Sequence, residues 1–95
     1  MTTLEQLQNL PQYRSHKIIR AAKILEVQLH GDRSAELVLE GTALGSITVD
    51  AAYVDKHKPQ AGGYFVLYDD GYQSWSPAKA FEEGYTRTDP DRNYR

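Results

Sequence analysis

The stretch GGYFVLYDDGYQSWSPAKAFEEGYTR, residues 62–87, holds four of the chain's seven tyrosines, its one tryptophan and both phenylalanines. Asp70-Gly71 inside it is a strong hairpin signal, because a two-residue type I′ turn needs positive φ at both central positions. That turn pairs Asp69 with Tyr72, Tyr68 with Gln73, Leu67 with Ser74 and Val66 with Trp75. One face then carries Tyr64, Val66, Tyr68 and Trp75, and the other Phe65, Leu67 and Tyr72. A sheet with one wet face alternates apolar with polar residues. This hairpin is apolar on both faces, so it has to be covered on both. One cover is expected from a helix over 77–83, with Ser76 as N-cap, Pro77 at the first helical position and Gly84 as its stop. The second is expected from the rest of a curled sheet, from a homodimer partner, or from a ligand.

Most of the remaining chain reads as strands. Leu25, Val27 and Leu29 alternate with Glu26, Gln28 and His30, the period of a half-buried strand. Upstream the phase is broken by Ile18-Ile19 and Ala21-Ala22, so a strand from Ser15 to His30 is expected to bend or bulge. Further strands are expected over Glu36–Glu40 and Ile47–Val49, with one helical turn at Ala51–Asp55. At the start, Thr2 with Glu5, or Thr3 with Gln6, offers a capping box, Leu4, Leu7 and Leu10 fall on one helical face, and Pro11 ends the segment. The expected class is α+β: a small, curled, barrel-like antiparallel sheet of about five strands with a short N-terminal and a short C-terminal helix. Residues 1–12 form the N-terminal helical segment, 13–86 a single α+β domain and 87–95 a flexible polar tail.

Composition narrows the chemistry. Ninety-five residues with a formal net charge of −2 leave no global field for a phosphate backbone, so nucleic acid is not an expected partner. A basic run at Arg14, His16, Lys17, Arg20 and Lys23 spreads over both faces of a strand and reads as solvation. The chain has no cysteine, which removes disulfides, zinc knuckles and thiol nucleophiles. No apolar run approaches the roughly 20 residues needed to cross a bilayer, and no signal-peptide pattern opens the chain. His16, His30 and His57 make no metal-ligand spacing, no phosphate-loop pattern is present, and Ser74 and Ser76 lack a nucleophile context. Neither metal, cofactor nor enzymatic activity is expected.

What remains is recognition. Tyrosine and tryptophan are enriched at interface anchors, and each buried hydroxyl needs a partner. The candidate contact residues are Tyr68, Tyr72 and Trp75 of the hairpin, together with Lys56, His57 and Lys58 just before Gly62-Gly63. Loop amides beside those basic side chains could also form an anion nest.

The pattern K-H-K-P-x-x-G-G-Y-x-x-x-Y-x-D-G-Y-x-S-x-S-P-x-x-A-F-E-x-G-Y-T, residues 56–86, resembles small uncharacterised proteins of tailed phages and prophages. The upstream Y-x-S-H-K-x-x-R-A-x-K-I, residues 13–24, resembles the same group. The resemblance implies a phage-encoded protein acting in the host cytoplasm. On it rests the expectation of a non-enzymatic accessory binder that antagonises a host defence protein by direct binding; the hairpin's need for two covers adds the expectation of a homodimer. Two alternatives stand beside it: a sponge for a small nucleotide signal, using Tyr72 or Trp75 beside Lys56 and Lys58, and a structural or assembly protein of the virion.

Overall fold

A computed structural model describes residues 2–14 and 18–87. Its elements are α1 (Leu4–Leu7), β1 (Gln12–Arg14), β2 (Ile18–Leu29), β3 (Ala35–Leu39), β4 (Ser46–Val49), α2 (Ala51–His57), β5 (Tyr64–Leu67), β6 (Gln73–Ser76), α3 (Ala78–Gly84) and β7 (Thr86–Arg87). The fold is α+β, as the sequence implies. Its antiparallel sheet runs β4-β3-β2-β1-β7, with β5 and β6 added on the other edge of β2. The two strands beyond the expected five, β1 and β7, are three and two residues long. β1 pairs with β2 and β7 with β1, and such short strands leave no periodic trace of their own. His16 and Lys17 of the basic run, and residues 88–95 of the expected tail, lie outside the described residues.

β2 organises the molecule. Its N-terminal half pairs with β1 and β5, and its C-terminal half with β3. Between Ile24 and Glu26 the register slips, so the expected bulge falls at Leu25 and lets one strand serve two sheets. The doubled alanines have the same origin. Ala21 packs with Ile19, Tyr64, Val66 and Phe81, while Ala22 packs with Ile24, Leu37, Phe65 and Leu67 in a second cluster. The middle of the sheet is therefore buried on both faces, and all four residues of β5 are buried. Continuous apolar runs mark such strands.

The hairpin corrects the expected turn. Gly71 N–H donates to Tyr68 O at 2.9 Å, Tyr68 N–H donates to Tyr72 O at 2.9 Å, and Gly71 has φ +90°. This is a three-residue loop, Asp69-Asp70-Gly71, with a turn followed by a left-handed glycine. Phe65 thus pairs with Trp75 and Leu67 with Gln73, one residue away from the sequence-based register. A one-residue slip moves side chains to the opposite face. Trp75 joins Phe65 and Leu67 in the larger cluster, and Tyr72 lies across from Tyr68.

Both faces of the hairpin are covered from within the chain. α3 brings Phe81 over Tyr64, with the rings stacked at 4.1 Å, and Tyr85 stacks on Phe81 at 4.7 Å. The opposite face meets α1, α2, β3 and β4, contributing Leu7, Tyr53, Leu37 and Ile47, and Leu10 from the segment after α1. The hairpin therefore does not itself require a second copy as a cover. α3 begins later than the sequence suggests: Pro77 is the N-cap and makes no side-chain cap bond. Ser76 is still paired with Tyr64 in the sheet, so the helix cannot start at it. Gly84 stays inside the helix and Tyr85 ends it in extended conformation, leading directly into β7.

The curled sheet is not closed. β4 and β6 do not pair among the described residues; α2 spans the gap between them. Asp50 caps α2 by accepting from Tyr53 N–H at 2.8 Å, and Tyr53 OH donates to Ser74 O of β6 at 2.6 Å. At the N-terminus the Thr3–Gln6 capping box forms, and Thr48 N–H of β4 donates to Thr2 Oγ1 at 3.0 Å. Leu7 and Leu10 are buried, whereas Leu4 is exposed.

Candidate functional site

Four of the six candidate contact residues come together where the end of α2 meets the hairpin tip. Asp50 starts α2 and the pair Lys56-His57 ends it, which suits cationic side chains near a helix C-terminus. His57 Nε2 lies 3.4 Å from Tyr72 OH, with the two rings 6.0 Å apart and near perpendicular. Lys56 Nζ stands 5.0 Å from the centre of the Tyr72 ring, within cation–π range. Tyr68 stacks on Tyr72 at 6.0 Å. Behind them Tyr53 touches His57 at 4.7 Å and Phe65 at 5.8 Å. The rings thus run from the core outward to the surface: Phe65, Tyr53, His57, Tyr72, Tyr68.

The electrostatics favour a ring surface over a charged one. Burial, then Lys56, pushes the His57 imidazole below its ordinary value, against the opposing effect of a backbone hydrogen bond at Gln73. His57 is therefore neutral at pH 7, and Lys56 supplies the positive charge. Burial, and then Tyr72, pushes the Tyr53 hydroxyl upward, so it stays a donor. Between α2 and the hairpin lies a shallow cavity of about 330 Å³ bounded by Tyr53, Lys56, His57, Tyr72 and Gln73. Tyr72 is 43% exposed.

The other two candidates sit elsewhere. Lys58 follows α2 in left-handed conformation, φ 46°, and its Nζ donates to Asp55 O at 2.9 Å. It borders a different groove, beside Val27 and Leu29. Trp75 packs against the larger core cluster, and a Cβ at Gly63 would fall 2.5 Å from its indole. A nucleotide grip built on Trp75 and Lys58 is thus not assembled, while its Tyr72–Lys56 half is. The anion nest is not available either: Gly62 N–H donates to Ile24 O and Gly63 N–H to Gln60 O. In the basic run, Arg20 donates to Leu10 O at 3.2 Å and Lys23 pairs with Glu82 at 3.8 Å, so both act within the fold.

Sequence reasoning passed over Tyr53. The signal was present in the spacing Asp50-x-x-Tyr53, a cap and the first buried residue after it. Among the described residues, no group of three His, Cys, Asp or Glu side chains could hold a metal ion, and no helix is long and apolar enough to cross a membrane.

These features define a small curled antiparallel sheet that presents an aromatic cluster with Lys56 at one hairpin tip, whose loop also carries the exposed Asp69 and Asp70. No family model matches the chain, and no curated protein matches it. A solved structure does: the solution NMR structure of the monomeric form of the phage L decoration protein, at a TM-score of 0.65 and 25% identity. The match covers 81% of this chain and 58% of that one, so this chain spans less than two thirds of the decoration protein's length.

Proposed function

We propose that the protein is a non-enzymatic structural or assembly protein of a phage particle, which docks on another protein of that particle. The observation that carries this reading is the likeness to the phage L decoration protein over four fifths of the chain. The resemblance of residues 13–24 and 56–86 to small tailed-phage proteins points to the same source. The contact surface we assign is the hairpin tip: Tyr72 and Tyr68, with Lys56 and His57. It combines an exposed ring with its cation already in place, and tyrosine anchors of this kind dominate protein interfaces.

Antagonism of a host protein has no separate structural support, because any protein-binding patch would serve it equally. The nucleotide sponge has less to rest on, since Lys56 occupies the Tyr72 ring. The test is the composition of gradient-purified particles of the encoding phage. Mass spectrometry should find this protein at a fixed ratio to the major capsid protein. Its absence from particles, with all of it left in the lysate, would overturn the reading.

A further inference from the structure

The imidazole of His57 stands between the buried Tyr53 and the exposed Tyr72. Its centre lies 4.7 Å from the Tyr53 ring and 6.0 Å from the Tyr72 ring. Tyr53 is tied at both ends, its N–H donating to Asp50 at 2.8 Å and its hydroxyl to Ser74 O at 2.6 Å. The imidazole therefore has a fixed back, and at its front Nε2 is 3.4 Å from the Tyr72 hydroxyl. The main chain of Tyr72 is held too: its N–H donates to Asp70 Oδ1 at 2.9 Å and its carbonyl accepts from Tyr68 N–H at 2.9 Å. What these bonds leave open is the direction of the Tyr72 hydroxyl proton.

A neutral imidazole has one N–H and one bare nitrogen, and the bond made by one decides the role of the other. Burial and Lys56 disfavour the protonated ring, while a hydrogen bond with the backbone of Gln73 favours it. A carbonyl accepting from a ring N–H acts in that direction. With Nε2 facing the Tyr72 hydroxyl, Nδ1 is the nitrogen left for Gln73. Nε2 is then bare, and the hydroxyl donates to it.

We propose that His57 is a positioning residue: its bare Nε2 draws the Tyr72 hydroxyl proton inward, so that the tip meets its partner with oxygen lone pairs. The consequence for docking rests on the proposed function; the tautomer does not. Asp69 and Asp70 are exposed on the same loop and add carboxylate oxygens, whereas Lys56 is engaged over the Tyr72 ring. The tip thus offers acceptors, and the partner it fits supplies hydrogen-bond donors there. Protonation of His57 reverses this. Nε2–H then donates to the Tyr72 oxygen, the hydroxyl proton turns outward, and a second positive charge joins Lys56. The carboxylates of α2 and its cap have other duties, Asp50 on Tyr53 N–H and Asp55 with Arg33 at 3.4 Å. Docking should therefore weaken on acidification.

The experiment is two-bond nitrogen–proton NMR correlation of the His57 ring in the isotope-labelled full chain, titrated from about pH 8 to about 5. His57→Gln identifies its signals. In the neutral ring Nδ1 should carry the proton and Nε2 should appear bare. Tyr72→Phe keeps the aromatic ring and loses the hydroxyl, and should move the Nε2 resonance toward that of an unbonded nitrogen. Co-sedimentation with capsids of the encoding phage over the same range reads the consequence. Binding of the parent chain should weaken roughly threefold or more as His57 takes up its proton, and His57→Gln should show no such step. A neutral ring protonated at Nε2 would overturn the proposal, as would an Nε2 resonance indifferent to Tyr72→Phe. Parent binding that is equally tight across the range would also overturn it. Absence of binding at every pH would overturn the particle reading alone, and the spectra would still decide the tautomer.

Discussion

Gly63 and Trp75 show how tightly one side chain can fix a neighbour's identity. An alanine Cβ at position 63 would lie 2.5 Å from three indole atoms, Cε2, Cζ2 and Nε1. The indole is packed against the larger core cluster, so it cannot simply swing aside. Gly63→Ala is expected to cost about 1–3 kcal/mol through overpacking. The emission of the single tryptophan should shift with it, measured by fluorescence-monitored urea unfolding. His57 supplies a pH dependence with a definite sign. Its folded pKa lies below the ordinary value, chiefly through burial, so the unfolded chain takes up the proton first. Stability therefore falls as pH drops below about 6.5 and stops falling once the folded value is passed. Glu36 also loses stability on acidification, because Ser46 and Thr48 donate to it at 2.6 and 2.9 Å and hold its pKa below the ordinary value. That loss begins only in the carboxylate range. His57→Gln should flatten the Tm profile between pH 7 and 5 and leave the steeper fall below it. An unchanged slope in that window would contradict the assignment.

Elements were legible in proportion to how local their causes are. The Thr3–Gln6 box, the central strands and the helix after β4 follow from caps and periodicity near at hand. The turn at Asp69–Gly71 does not, since a two-residue loop and a three-residue loop both need a left-handed residue at Gly71. What distinguishes them is remote: only the three-residue loop sets Trp75 on the Phe65 face, over Gly63. The start of α3 was misplaced for a related reason, because pairing with Tyr64 keeps Ser76 in the sheet. The candidate site was legible as an inventory of residues, and less so as an arrangement. Lys56, His57 and Lys58 are contiguous, yet α2 ends between them and sends Lys58 to another groove. The shortest tie between α2 and β6 is the Tyr53 hydroxyl donating to the carbonyl of Ser74 at 2.6 Å. Tyr53→Phe should therefore cost about 1 kcal/mol. Amide exchange should show the loss concentrated in α2 and β6 rather than spread over the sheet.

In the whole molecule, one long strand joins two sheets whose shared middle is buried on both faces by the chain's own helices. This arrangement leaves the ring cluster at the hairpin tip with little internal duty. A docking protein needs that economy, with a core that closes on itself and contacts placed at its margins. The likeness to the phage L decoration protein gives the hairpin tip an expected target, a protein surface of the particle. The direct measurement is a binding isotherm of the purified chain on capsids of the encoding phage, read by co-sedimentation. The chain should bind saturably, with a plateau fixed by the number of capsid sites. Tyr72→Ala, which removes a ring that is 43% exposed, should weaken binding roughly tenfold or more while the fold persists. A chain that stays in the supernatant at every concentration, or a Tyr72→Ala variant that binds as tightly as the parent, would contradict the proposed docking.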